Sequence, residues 1–346
     1  MTLSARVACV LIWCAAAVCH AEETKRTVLD FKDLTGWQQD AGKDEALAAF
    51  RVTCPDMDSL DWQAICALAH TDVEPGTFFE LFFRPVLIED GKRALFTGYF
   101  EPELEGSLSP TPRYRFPLYR MPPEARDTGL WYSRRQIEGS GVMAGRGLEI
   151  AWVDDATELF FLHIQGSGRI RLPNGKTIRV GYSGKNGHDY RSVGAELVRR
   201  GVFEPSEVSA QVIGNWVRRN PELGQELLWH NPSFVFFRRI QNLSSELGPL
   251  GAMNRPITAG RTIAVDPVYV TLGSPVWIEK EGHGPIRRLM IAQDTGSAIK
   301  GAQRADIFVG TGDQAGRIAG RYRDPGRVIV LVPIQQAYAM ATEPDF

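Results

Sequence analysis

Two aspartates twelve residues apart raise the question of chemistry. In Gln293-Asp294-Thr295-Gly296-Ser297-Ala298-Ile299-Lys300-Gly301-Ala302-Gln303-Arg304-Ala305-Asp306-Ile307-Phe308 each carboxyl sits against an apolar run that reads as a strand. Asp306 interrupts Arg304-Ala305-Asp306-Ile307-Phe308-Val309. Side chains alternate along a strand, so Asp306 shares a face with Phe308 while Ala305, Ile307 and Val309 take the other. A carboxyl beside an aromatic ring loses water. That disfavours the anion and raises the pKa, as a general acid at neutral pH requires. The same residue also fits a structural aspartate capping a turn. Asp294 before Thr295-Gly296, and Asp266 in Val265-Asp266-Pro267, fit turn residues that bond their own backbone. A charge on either one near Asp306 would raise the Asp306 pKa further.

Competing chemistries find less support. Asp294-Thr295-Gly296 and Asp127-Thr128-Gly129 both spell the aspartic-peptidase tripeptide. Asp127, however, follows the loop-like Pro122-Pro123-Glu124-Ala125-Arg126, so the second strand of a bilobal peptidase is missing. The six histidines are scattered and no C-x-x-C occurs, so no metal site is expected. Gly166-Ser167-Gly168 lacks the strand–helix context of a dinucleotide site, and no Walker loop or G-x-S-x-G elbow is present. No cofactor is expected. A net charge of −2 gives no reason to expect a polyanion such as nucleic acid as partner.

The elements that must hold these aspartates are mostly strands. Leu95 to Glu101 alternates as a strand, and Tyr114–Tyr119, Leu148–Val153, Arg169–Leu172 and Thr177–Tyr182 read as short extended segments. Pro173-Asn174-Gly175 makes a hairpin turn between the last two. Residues 44–69, 77–83, 192–200, 206–219 and 223–229 read as helices, with Ser206 as an N-cap. After residue 260 the chain is β-rich, with five short strands and one helix, Gly312 to Ala319. This pattern suggests a small closed barrel, with the middle segment as an inserted domain and a ligand cleft between the two.

The N-terminus has a different character. Arg6 precedes an uncharged apolar run from Val7 to Val18, followed by Cys19-His20-Ala21. This reads as a secretory signal cut after Ala21; Val18 before Cys19 fits an acylated lipoprotein signal poorly. Cleavage leaves Cys54 and Cys66, which are either one disulfide of an exported protein or two buried thiols.

Several stretches, taken together and in order, are specific. They are Thr97-Gly98-Tyr99-Phe100-Glu101-Pro102, Gln165-Gly166-Ser167-Gly168, Gly184-Lys185-Asn186-Gly187-His188-Asp189-Tyr190-Arg191-Ser192, Asn231-Pro232-Ser233-Phe234-Val235-Phe236-Phe237 and Gln293-Asp294-Thr295-Gly296. With them the sequence resembles the membrane-bound lytic murein transglycosylase A family from about Ala94 to Pro333. Its C-terminal part looks like a three-aspartate module with Asp266, Asp294 and Asp306.

The resemblance implies a mainly β (α+β) chain with peripheral helices. A double-psi β-barrel domain would carry a second, β-barrel-like inserted domain, with a groove between them. The implied division is a signal peptide at 1–21, a helical part and first barrel strand at 22–105, a glycan-binding insertion at 106–237, and the rest of the barrel at 238–346. It also implies cleavage of peptidoglycan glycan strands with formation of a 1,6-anhydromuramoyl end. Asp306 is then the catalytic acid, and Asp294 and Asp266 support it. Thr97, Tyr99, Gln165, Ser167, Tyr182, Lys185, Asn186 and Asp189 line the groove. A periplasmic monomer associated with the outer membrane completes the picture. A non-catalytic glycan binder, or a conventional hydrolase using Asp294 or Glu101 as second carboxylate, are the competing classes.

Overall fold

The extended segments of the chain sort into two separate sheets. The structure, a computed structural model, describes residues 24–126 and 129–342. The apolar N-terminal run with its cleavage site, Cys19, and the Asp127-Thr128 pair lie outside the described residues.

The first sheet has nine strands. Three precede the middle segment: β1 (Lys25–Val28), β2 (Phe83–Glu89) and β3 (Leu95–Glu101). The second sheet has six: β4 (Glu103–Ser107), β5 (Phe116–Tyr119), β6 (Glu149–Val153), β7 (Ser167–Arg171), β8 (Thr177–Lys185) and β9 (Val235–Ile240). The chain then returns to the first sheet with β10 (Thr262–Ala264), β11 (Pro275–Lys280), β12 (Ile286–Asp294), β13 (Arg304–Thr311), β14 (Arg323–Asp324) and β15 (Gly326–Pro333). The ladder of the first sheet runs β1-β2-β15-β11-β12-β10-β13-β3-β14, and that of the second β5-β6-β4-β7-β8-β9. The chain is mainly β with helices around it, as expected. Each ladder is an open series rather than a closed ring.

Ten helices surround the sheets among the described residues. They are α1 (Lys43–Thr53), α2 (Leu60–Ala69), α3 (Pro75–Phe82), α4 (Arg134–Gly139), α5 (Ala156–Gln165), α6 (Val193–Arg199), α7 (Ala210–Arg219), α8 (Pro221–His230), α9 (Gly312–Ala319) and α10 (Ile334–Thr342). None is long and apolar enough to cross a membrane.

Local physics explains where the structure departs from the sequence pattern. The helical reading of 44–69 breaks into α1 and α2 around Pro55, and Cys54 and Cys66 form a disulfide across the break. α3 ends at Phe82 because Pro85 pushes Arg84 into extended backbone, and the apolar run continues as β2. Residues 156–165 form a helix that the reading left unassigned. The Asp155 carboxylate accepts from the Thr157 and Glu158 amides at its start, and Gly166 stops it with φ +76°. The cap of α7 is Ser209, which accepts from Val212 N–H, rather than Ser206.

The first sheet has a core on each face. On one face Trp277, Leu289, Ile291 and Leu331 pack with aromatic residues of α1–α3, among them Phe50, Phe78 and Phe79, and with Phe83 at the start of β2. On the other, Ile263, Val276, Met290, Ile307 and Val330 pack together. The inserted sheet has its own core around Leu118, Val153, Ile170, Val180 and Phe237.

A buried ion cluster joins the two sheets. Glu101, the last residue of β3, has no exposed surface. Its carboxylate accepts from Arg169 Nε on β7 at 2.9 Å, from Arg179 on β8 at 2.9 Å, and from the Thr311 hydroxyl at 2.9 Å. The same two arginines donate to the carbonyls of Ser244, Ser245 and Leu247. The segment entering the insertion and the segment leaving it are therefore fastened at one point.

Candidate active site

Strand register sets the site. β10 lies between β12 and β13, and Ala264 is the pairing partner of Asp294 on one side and Asp306 on the other. Asp306 in turn pairs with Thr97 on β3. Thr97, Asp306, Ala264 and Asp294 thus form a row across four adjacent strands. Neighbouring strands lie about 4.8 Å apart, which places the two aspartate backbones roughly 10 Å from each other with only a methyl group between. β3 is held flat on α9, since a Cβ at Gly98 would meet the Ala319 Cα at 2.8 Å.

The two carboxyls have different surroundings. Asp306 Oδ1 accepts from the Thr97 hydroxyl at 2.5 Å. Its Oδ2 has no hydrogen-bond partner among the described residues. Asp294 is committed on both oxygens. Oδ2 accepts from the Tyr99 hydroxyl at 2.9 Å, and Oδ1 accepts from the Ala252 amide at 3.0 Å and the Thr295 amide at 2.9 Å. The Tyr99 ring packs 5.3 Å from the Phe308 ring, so the row above the carboxyls is aromatic. Phe308 does stand on the Asp306 face, as alternation along the strand requires.

Both carboxyls are half-buried, and burial raises both pKa values. For Asp306 the Thr97 hydrogen bond and the Arg304 charge partly offset that rise. Asp294 is pushed up to about 6, by burial first and by repulsion from Asp306, against the pull of its three donors. The repulsion between the two carboxyls disfavours both of them being ionised at once, and at Asp306 the adjacent Arg304 charge works against it. The Tyr99 hydroxyl stays protonated, held well above its ordinary range by burial and by Asp294.

The other residues expected at the site have varied fates. Gln165, at the end of α5, reaches across to the first sheet, where its Oε1 accepts from the Phe100 amide at 3.1 Å. Its amide nitrogen has no protein partner among the described residues. Tyr182 is 52% exposed and lies beside Gly166. Lys185 is half-exposed at the end of β8, and Asp189 is exposed in the loop that follows. Ser167 is buried at the start of β7, opposite Gly181.

Two expected site residues are buried and bonded to backbone. Asn186 is 1% exposed; it donates to the carbonyls of Tyr132 and Pro232 and accepts from Phe234 N–H. It fastens loops to β9, and its amide is taken up by these three backbone groups. Asp266 is also buried. It accepts from the amides of Gly301 and Val268, with Lys300 Nζ 3.7 Å away. It holds the loops flanking the row and is not itself part of it. Glu101, the alternative second carboxylate, is locked in the ion cluster described above.

Some contributors were missed from the sequence. Asp90, buried on the far side of the same loop, accepts from the Ala302 amide at 3.2 Å. Arg304 donates to Thr97 Oγ1 at 2.8 Å. Period-two alternation was enough to find Arg304, which shares a face with Asp306 two residues on. Nothing local marks Asp90. A depression of about 500 Å³ lined by Glu103, Arg169, Arg179 and Arg239 involves none of the residues around Asp294 and Asp306.

Residues 95–238 match the MltA specific insert domain and residues 261–332 match the 3D domain. The chain is 35% identical over 247 residues to the membrane-bound lytic murein transglycosylase A of Escherichia coli K12. That match covers 68% of this chain and 65% of the relative, a little under two thirds of the relative's length. The solved membrane-bound lytic murein transglycosylase of Agrobacterium tumefaciens superposes with TM-score 0.79 at 32% identity, covering 91% of this chain and 99% of that one. The E. coli MltA structure with bound chitohexaose superposes with TM-score 0.71 at 27% identity, covering 85% and 90%.

Proposed function

This chain belongs to the membrane-bound lytic murein transglycosylase A family, and from that premise we propose that it cleaves peptidoglycan with Asp306 as its single catalytic acid and base. The bond broken is the β-1,4 link between N-acetylmuramic acid and N-acetylglucosamine. Asp306 donates its proton to the glycosidic oxygen as the C1–O bond breaks. The C6 hydroxyl of the muramic acid closes on C1, and its proton passes to the Asp306 carboxylate. No water is added, so the product is a 1,6-anhydromuramoyl end and Asp306 returns to its starting state.

One observation carries this reading: Asp306 Oδ2 is the single carboxyl oxygen of the row left without a donor. The oxygens of Asp294 are filled by three donors and those of Glu101 by two arginines and a threonine. A hydrolase with two working carboxylates needs a second free one to activate water or attack C1. Here the nucleophile is supplied within the sugar, which one carboxyl can serve. Burial raises the pKa of Asp306 above the ordinary carboxylate value, the direction a general acid requires.

In this reading Asp294 supports catalysis by anchoring Tyr99 and the loop around Ala252. Thr97, Tyr99, Gln165, Tyr182, Lys185 and Asp189 belong to the substrate groove. The exposed Tyr182 ring suits the apolar face of a sugar, and the free amide of Gln165 suits its hydroxyls. The chitohexaose bound by the E. coli relative supports a glycan ligand for this chain. We assign residues 22–105 and 238–346 to one domain and 106–237 to the inserted one. We assign the protein to the periplasm, as a monomer on peptidoglycan strands.

The test is the mass of the products. Purified protein is incubated with sacculi and the released muropeptides are weighed. Anhydro products, lighter by one water than hydrolysed ones, are expected. Only reducing ends would overturn the reading in favour of hydrolysis, and binding without release would overturn it in favour of a glycan-binding protein.

A further inference from the structure

Arg304 touches neither aspartate by a hydrogen bond, yet three contacts aim it. It donates to the Leu95 carbonyl at 3.1 Å, to the Ala305 carbonyl at 2.7 Å and to Thr97 Oγ1 at 2.8 Å. A guanidinium has donors only, and a hydroxyl has one hydrogen. Once the Thr97 oxygen takes the Arg304 N–H, its own hydrogen is directed at Asp306 Oδ1, 2.5 Å away. Oδ1 must then accept. A carboxylic acid carries one O–H, so the proton of Asp306 belongs on Oδ2. In the reverse arrangement, with Oδ1–H donating to Thr97, the Thr97 hydrogen would have no acceptor in a half-buried site. That arrangement is costly.

We propose that Arg304 is a positioning residue that, through Thr97, fixes the acidic proton of Asp306 on Oδ2, the oxygen left free for the substrate. The inference rests on Asp306 being the acid. It gives Thr97 a second task beside the groove: it presents the acid. The charged and titratable groups facing Asp306 are Arg304 on its own strand, Asp294 from β12, and Tyr99 from β3 beside Thr97.

The experiment is the pH dependence of anhydro-muropeptide release for Arg304→Gln, Arg304→Lys, Thr97→Val and Thr97→Ser. Asp306→Asn is run beside them, with melting curves to confirm folding. Arg304→Gln and Thr97→Val are expected to lower kcat by about tenfold or more, with little change in KM. The alkaline limb should move to higher pH, because both groups hold the proton affinity of Asp306 down against burial. Thr97→Ser and Arg304→Lys should restore the limb toward its original position. An inactive Asp306→Asn beside an unmoved limb in Arg304→Gln and Thr97→Val overturns this inference alone. A still-active Asp306→Asn overturns the acid assignment and this inference with it. Should Arg304→Gln fail to fold, the Thr97→Val and Thr97→Ser pair decides the matter, since both keep the strand and only one keeps the hydroxyl.

Discussion

Asp294 and Asp306 stand in register with the same residue, Ala264, from opposite sides of β10. The short strand between them sets their spacing: near enough for their charges to interact, too far for a shared proton. One carboxyl is fixed on both oxygens and the other is free on one. On the proposed mechanism that asymmetry divides the work between them.

Removing the free carboxyl should remove the activity. Asp306→Asn keeps size and polarity and can still accept from Thr97, so the melting temperature should stay near that of the parent. Muropeptide release should fall by roughly three orders of magnitude or more, the range that positioned acid–base groups supply. Chromatography with mass detection of sacculus digests gives the readout.

Asp294→Asn is expected to lower turnover by about tenfold while stabilising the fold at neutral pH. The sign follows from linkage. A carboxyl whose pKa is raised on folding is fully tolerated below its unfolded value near 4, and its cost develops as pH rises through the folded value of about 6. The cost is on the order of 3 kcal/mol above that range. Asparagine removes it. Melting curves of parent and variant should nearly coincide at pH 4 and separate by pH 7.5, with the variant higher. A variant that melts lower at both pH values would show that the three hydrogen bonds to Asp294 outweigh its burial.

The ion cluster at Glu101 should matter for stability. Glu101→Gln leaves Arg169 and Arg179 without their anion where little water reaches, a change that typically costs about 3 kcal/mol or more. Urea unfolding should show this loss. Release of muropeptides by the folded fraction should also fall, since the cluster fastens both crossings between the sheets and so sets how the groove faces each other. Unchanged unfolding would mean that water reaches the two arginines.

Reducing the Cys54–Cys66 disulfide should destabilise the helical part of the first domain by about 3 kcal/mol, given the twelve-residue separation. The effect should reach the site. Asp56, two residues past Cys54, pairs with Arg255 at 2.8 and 2.9 Å, and the loop bearing Arg255 supplies the Ala252 amide to Asp294. Activity assayed with and without reductant on the folded protein, beside Asp56→Asn, measures that link. Equal rates under both conditions would show that the loop holds its place without it.

Tyr182→Ala should raise KM severalfold with a smaller effect on kcat, because an exposed ring beside the groove binds ground state and transition state alike. Saturation kinetics on soluble glycan fragments separate the two constants. A fall in kcat at constant KM would place Tyr182 nearer the chemistry.

The amino-acid sequence alone determined the chemistry on offer and most of the β elements. Alternation along Arg304 to Val309 is a local property, so the Asp306 face, its Phe308 neighbour and, in principle, Arg304 were legible from it. The hairpin at Pro173-Asn174-Gly175 was legible for the same reason: turn residues act within four positions. Only the tertiary structure decided which carboxyl is free. Two of the three donors that occupy Asp294 come from Tyr99 and Ala252, which lie 195 and 42 residues away in sequence. Asn186 looks like a groove residue in its motif, and its amide is taken up by three backbone groups. Glu101 looks like a spare carboxylate and is buried between arginines of the other sheet. Hydrogen-bond occupancy depends on which distant strands are paired side by side, and no periodicity within one strand carries that information.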